Sequence, residues 1–305
     1  MMNSRSKALI VGLGSIGRKH YEALKNLGFE VAVLSKSVQN FQGRLYRSFE
    51  ELDLEEFDLF IIANITSLHL QTLKFIDARV RGKSILIEKP LFERHYDFTP
   101  SGENRLFVAY LLRFHPVVGH LKALIENEEV YFASFECDSY LPSWRGGDYR
   151  KSYSAKRKLG GGVLLDLSHE LDLALFLCGG GRLDFGEAVK ISELELESDD
   201  FAFLALRSGA KGWERRLHIR VNYFSKFERR VVIIHTKKHS FKADLRAQSL
   251  EIYSPSGAEK LSFQGDTMQN LQALHRAILN EDKNLCTLEE GQRLLKICDE
   301  VRGLK

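Results

Sequence analysis

Residues 8–17 read Ala-Leu-Ile-Val-Gly-Leu-Gly-Ser-Ile-Gly, an apolar run that ends in a G-x-G-x-x-G pattern. From 16 to 27 the apolar residues keep the spacing of one helix face, and Gly28 then ends the helix. A second apolar run follows at 31–34. A strand, a glycine turn, an amphipathic helix and a second strand within about thirty residues predict a β-α-β unit of a parallel sheet.

Each glycine of the pattern has a separate task in a dinucleotide-binding turn. Gly12 allows the tight turn, Gly14 lets the backbone approach a pyrophosphate, and Gly17 lets the helix pack closely on the strand. The phosphates then lie at the N-terminus of the helix, beside Ser15 and Ile16. The alternative, in which the glycines only turn a strand into a helix, is disfavoured by the strand and helix on either side.

The end of the second strand carries Ser35-Lys36-Ser37, where an NAD-binding chain has a carboxylate for the ribose 2′-hydroxyl. A hydroxyl and an ammonium group hold a 2′-phosphate that a carboxylate would repel. These residues therefore predict NADP as the cofactor. NAD is the alternative if Lys36 is only a solvated surface charge.

The length of 305 residues and a change of pattern after Pro116 predict two domains. Before Pro116, helical periodicity alternates with short apolar runs of the kind found in sheets buried on both faces. The predicted parallel strands are 8–11, 31–34, 59–63, 85–87 and 106–109. After Pro116, alternating segments predict antiparallel strands at 130–138, 201–207, 217–224 and 229–235, with helices at about 117–127 and 162–177 and a C-terminal pair.

We therefore predict an α/β fold. A Rossmann-type, doubly wound parallel sheet at 1–116 would bind the dinucleotide. A C-terminal α+β domain at 117–305, with an open and mostly antiparallel sheet, would bind the substrate and form a homo-oligomer through that sheet.

The composition excludes several classes of protein. A formal charge of +3 gives no long-range field for nucleic acid or membrane binding, and no stretch reaches the roughly 18 apolar residues of a membrane span. The four cysteines are widely spaced and form no C-x-x-C pair, which indicates a reducing compartment. We expect a cytoplasmic protein without a bound metal.

The fourth predicted strand ends in Glu88-Lys89-Pro90, which places a lysine at the carboxyl edge of a parallel sheet. Open α/β sheets bind their ligands at this edge. A lysine there can donate a hydrogen bond to a substrate hydroxyl or carbonyl, and Pro90 keeps Lys89 out of the helical conformation. A charge pair at a strand end, without function, is the alternative.

Several ordered motifs together resemble the Gfo/Idh/MocA family, the glucose-fructose oxidoreductase and inositol dehydrogenase group of NAD(P)-dependent sugar oxidoreductases. They run nearly from end to end of the chain and comprise 12–17, Thr66-Ser67-Leu68-His69, Glu88-Lys89-Pro90, Tyr110 with Arg113-Phe114-His115-Pro116, Gly160-Gly161-Gly162 leading into Asp166 and His169, and Thr287-Leu288-Glu289-Glu290-Gly291. The resemblance implies that Lys89, Asp166 and His169 form the catalytic group. It also implies cofactor contacts at Asn64, Thr66, His69, Glu88 and Lys89, and substrate contacts at Lys89, Arg113 and His169.

The chain departs from the family pattern in two places. Most members have D-x-x-x-H, whereas His169 is three residues after Asp166 and Glu170 occupies the fourth position. On a regular helix His169 lies about 60° to one side of Asp166 and Glu170 about 40° to the other. His169 is the better base at neutral pH, and Glu170 stays as the alternative and as a substrate contact. The second departure is a short polar stretch at 91–104, where the family has a full helix.

The segment 144–158 combines six basic residues with three aromatic ones directly before the Gly160 run. Aromatic rings stack on sugars and arginines bind phosphates or carboxylates, so the segment predicts an anionic sugar, including a nucleotide-linked one. The expected contacts are Trp144, Arg145, Tyr149 and Tyr153. A solvated surface loop is the alternative, whereas single-stranded nucleic acid is disfavoured because the patch is one loop.

These features predict an oxidoreductase that transfers hydride between NADP(H) and a secondary alcohol or ketone of a sugar or sugar nucleotide. The alternative is a non-catalytic dinucleotide-binding sensor or scaffold on the same fold. The presence of all three of Lys89, Asp166 and His169 argues for the enzyme.

Overall fold

The computed structural model describes residues 6–144, 146–209 and 214–304. These residues form two compact units. The first unit holds the described residues up to Leu111 together with Asp266–Arg293, and the second holds Leu112–Gly265 together with the residues from Leu294 onward.

The described residues form fifteen strands in two sheets, seven α-helices and eight short 3-10 turns. The strands are β1 Lys7–Val11, β2 Glu30–Leu34, β3 Arg44–Tyr46, β4 Leu59–Ile62, β5 Ser84–Ile87, β6 Arg105–Val108, β7 Val130–Tyr140, β8 Arg182–Val189, β9 Phe201–Gly209, β10 Glu214–Asn222, β11 Phe224–Thr236, β12 Ser240–Asp244, β13 Ser249–Ser254, β14 Gly257–Ser262 and β15 Cys286–Thr287. The α-helices are α1 Ser15–Asn26, α2 His69–Asp77, α3 Pro116–Ile125, α4 Val163–Asp166, α5 His169–Cys178, α6 Thr267–Asn280 and α7 Leu288–Val301. The 3-10 turns are Phe49–Glu51, Leu54–Glu56, Thr66–Leu68, Leu111–Phe114, Leu141–Ser143, Tyr149–Lys151, Tyr153–Ala155 and Arg157–Leu159.

The first sheet has the order β15-β6-β5-β4-β1-β2-β3 and is parallel except for β15. Its central strands β1, β4 and β5 are almost entirely buried, as their continuous apolar runs predicted. All five predicted parallel strands are confirmed. The two strands that were not predicted, β3 and β15, have three and two residues and no apolar run.

The second sheet has the order β14-β13-β12-β11-β7-β10-β9-β8. It is mostly antiparallel as predicted, but β7 and β10 are parallel, with Ala133 opposite Leu217. The prediction of an antiparallel strand at 217–224 is wrong in this pairing. A polar and apolar alternation reports which face is buried and carries no information about the direction of the neighbouring strand. The first sheet and the second together confirm the predicted fold class.

The predicted helix at 162–177 is interrupted. α4 ends at Asp166, Leu167 has φ −102° and ψ 29°, and α5 begins at His169. Around the break Ser168 N donates to Leu165 O and Glu170 N donates to Leu167 O, which are bonds of the tighter 3-10 type. Side chains three residues apart are nearly aligned in a 3-10 turn, so the offset of about 60° expected between Asp166 and His169 on a regular helix does not apply.

The C-terminal segment 266–293 belongs to the first unit rather than to the second. Its helix α6 packs against α1, and β15 pairs with the edge of β6. The compact units therefore differ from the expected single division at residue 116, because an amphipathic helix does not reveal in its sequence which sheet layer it covers. As the sequence indicated, the fully described stretch 91–104 contains no helix. Among the described residues no helix has the length and apolar character needed to cross a bilayer.

Candidate active site

The glycine turn after β1 leaves no room for a side chain at two of its three glycines. Gly12 has φ +98°, and a Cβ there would lie 2.6 Å from the backbone of Asn64, which follows β4. A Cβ on Gly17 would lie 2.3 Å from the carbonyl oxygen of Gly12. Both positions require glycine because a Cβ would push apart main-chain atoms at the ends of β1 and β4.

Gly14 is open instead, because a Cβ there would meet none of the described atoms within 4 Å. Gly14 is also the N-cap residue of α1, which has no side-chain cap in the described part of the chain. The first backbone N–H groups of α1, from Ser15 and Ile16 onward, therefore receive no hydrogen bond from the N-cap side chain. An open glycine at the head of an uncapped helix fits the pyrophosphate of a dinucleotide.

The end of β2 presents Lys36 and Ser37 to solvent, whereas Ser35 is buried. Arg47, which follows β3, donates from Nη1 to the carbonyl oxygen of Ser35 at 2.9 Å and also to that of Val38. Arg47 therefore closes the loop that carries Lys36 and adds a second cation to it. Two acids lie nearby. Glu51 accepts the backbone N–H of Arg47 at 3.1 Å. A hydrogen bond from Ser48 lowers the pKa of Glu50, and the charge of Lys36 contributes to this shift.

The loop after β4 joins the ends of two neighbouring strands through His69. The ring of His69 is buried, with Nδ1 3.1 Å from the carbonyl oxygen of Leu91 and Nε2 3.2 Å from that of Asn64. Burial lowers the pKa of His69 although these carbonyls act in the opposite direction. His69 thus ties the β4 loop to the β5 loop, while Asn64 and Thr66 are only partly buried. The predicted cofactor contact of His69 stays a prediction.

The Glu88-Lys89-Pro90 turn follows β5 at the same carboxyl edge as the glycine turn. The Lys89–Pro90 peptide bond is cis. The buried Glu88 carboxylate accepts the backbone N–H of Lys89 on Oε2 at 3.1 Å and contacts His20 Nε2 through Oε1 at 2.7 Å. Lys89 itself is partly exposed. The Glu88 carboxylate thus fixes the turn, and it is itself held by a hydrogen bond to His20 of α1.

In the second unit, Asp166 is held by a buried tyrosine. Asp166 is 2% exposed and its Oδ2 accepts the hydroxyl of Tyr223, which follows β10 and is fully buried. Burial, and then the charge of Asp166, raise the pKa of Tyr223 well above 10.0. His169, at the first position of α5, is only half buried. Asp166 is therefore fixed in the interior while His169 reaches solvent.

Glu170 lies elsewhere. It is 2% exposed and forms an ion pair with Arg230 of β11, with 2.7 Å between Oε1 and Nε. Burial works against the charged guanidinium, but the charges and hydrogen bonds of Glu170 and Cys137 together outweigh it and raise the pKa of Arg230. Next to this pair, burial raises the pKa of the Cys137 thiol to about 12. Glu170 could act as the proton-transfer residue only if its ion pair with Arg230 opened.

Arg113 also occupies a buried ion pair. Its Nη2 lies 2.7 Å from Asp172 Oδ1, both side chains are 2% exposed, and its guanidinium lies 4.6 Å from the ring centroid of Phe176. Both residues lie in the second unit, where the pair joins the segment that follows Leu111 to α5. The predicted contact of Arg113 with substrate stays a prediction.

The basic and aromatic segment forms a chain of 3-10 turns beside a cavity of about 250 Å³. The cavity is lined by Leu141, Trp144, Gly146, Gly147, Asp148, Tyr149, Lys151, Ser152 and Ser154. Arg150 is engaged by Asp148 and Glu195, whereas Lys151 faces the cavity. Of the expected contacts, Trp144 and Tyr149 line this cavity, Tyr153 does not, and Arg145 lies outside the described residues. No group of three His, Cys, Asp or Glu side chains in the described residues could hold a metal ion.

Comparison with known proteins places this geometry in context. No family model and no curated protein matches the sequence. Among solved structures, UDP-N-acetylglucosamine 3-dehydrogenase GnnA from Acidithiobacillus ferrooxidans is 19% identical with a TM-score of 0.78, covering 98% of this chain and 97% of its own. Levoglucosan dehydrogenase in complex with NADH is 15% identical with a TM-score of 0.82, covering 98% and 96%. An NAD-binding oxidoreductase from Klebsiella pneumoniae is 15% identical with a TM-score of 0.81, covering 98% and 96%.

The chain has the fold of Gfo/Idh/MocA-type oxidoreductases. The fold that the motifs implied is thereby confirmed. The glycine turn, the Asn64 loop and the Lys89 turn all lie in the first unit. They lie at the carboxyl edge of its parallel sheet, which is the edge where open α/β sheets bind ligands.

Sequence reasoning missed three residues that shape these sites. Arg47 follows a strand too short to be recognised. Tyr223 lies at the end of an alternating strand, where nothing in the pattern reveals a buried hydroxyl partner. His275, which contacts His20, lies on the buried face of α6. A polar ring at an apolar helix position is the signal that could have found it.

Proposed function

We propose that the chain is an NADP-dependent oxidoreductase that transfers hydride between the nicotinamide and a secondary alcohol or ketone of a sugar. The observation that carries this proposal is the open Gly14 at the head of α1, on the sheet edge that also bears Lys89. In this proposal the first unit binds the dinucleotide and the second binds the sugar.

The loop after β2 supports NADP rather than NAD. Lys36 is exposed there and Arg47 lies across the same loop, so two cations are available to a 2′-phosphate. Glu50 is a neighbouring acid, and the charge of Lys36 helps to lower its pKa. Levoglucosan dehydrogenase is described in complex with NADH, so the choice between the two cofactors is a property to measure in this chain.

The bound cofactor would supply the hydride acceptor, and the chain would supply the proton transfer and the orientation. In oxidation the His169 imidazole would accept the proton of the substrate hydroxyl as the ketone forms. Lys89 donates a hydrogen bond to the oxygen as it becomes an alkoxide. Asp166, held by Tyr223, stabilises the imidazolium that forms. Reduction reverses each step.

An anionic sugar is the proposed substrate class, with a nucleotide-linked sugar as its larger form. The cavity beside Trp144 and Lys151 offers an aromatic ring and an ammonium group within the second unit. GnnA, which shares the fold, is named as a dehydrogenase of a UDP-linked sugar, whereas levoglucosan dehydrogenase is named for an uncharged one. The experiment should therefore compare charged sugars with uncharged ones.

The test is to oxidise a panel of sugars with NADP and with NAD. The rate is measured from the absorbance of the reduced nicotinamide that forms. We expect turnover with NADP and faster turnover with uronic acids or nucleotide sugars than with neutral sugars. Tight binding of NADPH without hydride transfer to or from any sugar would instead identify the non-catalytic sensor or scaffold. Faster turnover of neutral sugars would contradict the anionic substrate.

We also propose that the second sheet mediates a homo-oligomer. An unbroken row of ring contacts crosses five strands of this sheet. It runs from Phe185 of β8 through Phe203 of β9, His218 of β10 and Phe132 of β7 to His235 of β11. Phe185 is 53% exposed. The phenylalanine rings make the row an apolar surface, which supports the proposal that a second copy of this chain covers it. Light scattering should give twice the monomer mass or more, and Phe185→Lys should lower it.

A further inference from the structure

A buried chain of three polar groups ends at the Lys89 turn in the first unit. His275 Nε2 lies 2.9 Å from His20 Nδ1, and His20 Nε2 lies 2.7 Å from Glu88 Oε1. Both imidazoles are 0% exposed and Glu88 is 8% exposed. The second carboxylate oxygen of Glu88 accepts the backbone N–H of Lys89.

The three side chains come from elements that are far apart in sequence. His20 lies on the buried face of α1, His275 lies on the buried face of α6, and Glu88 directly follows β5. The two rings meet nearly edge to face, with 5.0 Å between centroids and 68° between planes. The contact between α1 and α6 thus contains the His20–His275 hydrogen bond, and His20 continues the chain to Glu88 at the end of β5.

One placement of the protons satisfies the three hydrogen bonds of this chain. Both oxygens of Glu88 accept, one from Lys89 N–H and the other from His20 Nε2–H. His20 Nδ1 is then an acceptor, and it receives the Nε2–H of His275. Burial lowers the pKa of His275 well below its usual value, so this ring stays neutral. In this placement each imidazole donates from Nε2.

We propose that His20, supported by His275, is a positioning residue that holds the Glu88 carboxylate and through it the Lys89 backbone. This proposal rests on the proposed function, because it is Lys89 that would contact the substrate oxygen. Glu88 has one oxygen for Lys89 N–H and one for His20, so the two hydrogen bonds fix the rotation of the carboxylate. Without His20 the carboxylate can turn, and the main chain that carries Lys89 loses its fixed acceptor.

Two substitutions at His20 separate positioning from mere packing. The amide nitrogen of Gln reaches the place of His Nε2, so His20→Gln keeps a donor to Glu88. Asn reaches only the place of Nδ1, so His20→Asn loses that donor while staying neutral, polar and close in size. Leu24→Ala, which truncates a buried side chain one turn further along α1, is the control for a general loss of stability.

Two measurements apply to the unliganded protein. Histidine 15N NMR should show both His20 and His275 as neutral Nε2–H tautomers with a hydrogen-bonded His20 proton. Hydrogen exchange of the Lys89 amide should be at least about tenfold faster in His20→Asn than in the parent, relative to amides of β4 in the same sample. His20→Gln should stay within about threefold of the parent, and so should Leu24→Ala after the same normalisation.

With an active substrate, kcat of His20→Asn should fall on the order of 100-fold while KM for the cofactor changes less than about threefold. His20→Gln should recover most of kcat. Equal Lys89 exchange in His20→Asn and the parent, or an Nδ1–H tautomer for His20, would overturn the proposal. If the parent transfers no hydride to any sugar, the proposed function fails, while the exchange and NMR results still decide whether His20 holds the turn.

Discussion

The buried hydrogen bond from Tyr223 to Asp166 predicts how stability depends on alkaline pH. Burial, followed by the Asp166 carboxylate, raises the pKa of Tyr223 well above 10.0. The same phenol has its ordinary pKa of about 10 in the unfolded chain, so above pH ~10 the native state binds more protons than the unfolded state. The free energy of unfolding therefore decreases as pH rises above about 10, by up to about 1.4 kcal/mol per pH unit from this group.

Tyr223→Phe removes the titrating hydroxyl and keeps the ring, so it creates little cavity. At pH 8 the variant should be less stable by about 1.5–3 kcal/mol, because a hydrogen bond to an ionised carboxylate is lost and Asp166 remains buried. Above pH ~10 the gap between parent and variant should narrow, since only the parent then loses the contribution of Tyr223.

The assay is urea unfolding of both proteins between pH 8 and 11, followed by circular dichroism. Tyr253→Phe is the matched control, because its hydroxyl also donates to a carboxylate, Glu251, but the residue is 44% exposed. The control should leave the free energy of unfolding nearly unchanged, because an exposed hydroxyl exchanges its partner for water. A constant gap between parent and Tyr223→Phe across this pH range would refute the argument, as would an equal loss in the control.

Three further outcomes follow from the proposed site. Lys36→Asp should reverse a preference for NADPH over NADH of about 10- to 100-fold, measured as two dissociation constants by nicotinamide fluorescence; equal constants in the parent would contradict it. Lys89→Ala should lower kcat about 10²- to 10³-fold with cofactor binding unchanged, and retention of a tenth of the activity would exclude this role. His169→Asn should remove a rising limb near neutral pH in kcat/KM for oxidation. Glu170→Gln should chiefly lower the melting temperature, because Arg230, whose side chain is 24% exposed, loses its charge partner.

The first sheet could be predicted because its signals are local. Each buried parallel strand is a short apolar run, and the first of them leads into Gly12 and Gly17, whose crowding leaves glycine as the only residue that fits. The order of those elements along the chain then fixes the β-α-β topology. The local sequence was thus sufficient to predict the glycine turn.

The rest depends on contacts between distant segments. β7 and β10 pair in parallel, and the helix breaks before His169. Both features arise from backbone hydrogen bonds, which the periodicity of the side chains does not predict. The partners of Arg47 and Tyr223 likewise come from other elements. Sequence could therefore name Asp166 and His169 but could not describe the geometry that holds them.

The placement of 266–293 in the first unit has a consequence for synthesis on the ribosome. A nascent chain that has emerged only to residue 116 contains β1 to β6 but lacks α6, which covers α1, and β15, which pairs with β6. The imidazole of His20 then has no His275 to meet. The first unit can therefore reach its final form only after the chain has been translated past residue 293. A chain cut short after residue 116 should expose apolar surface and recruit chaperones.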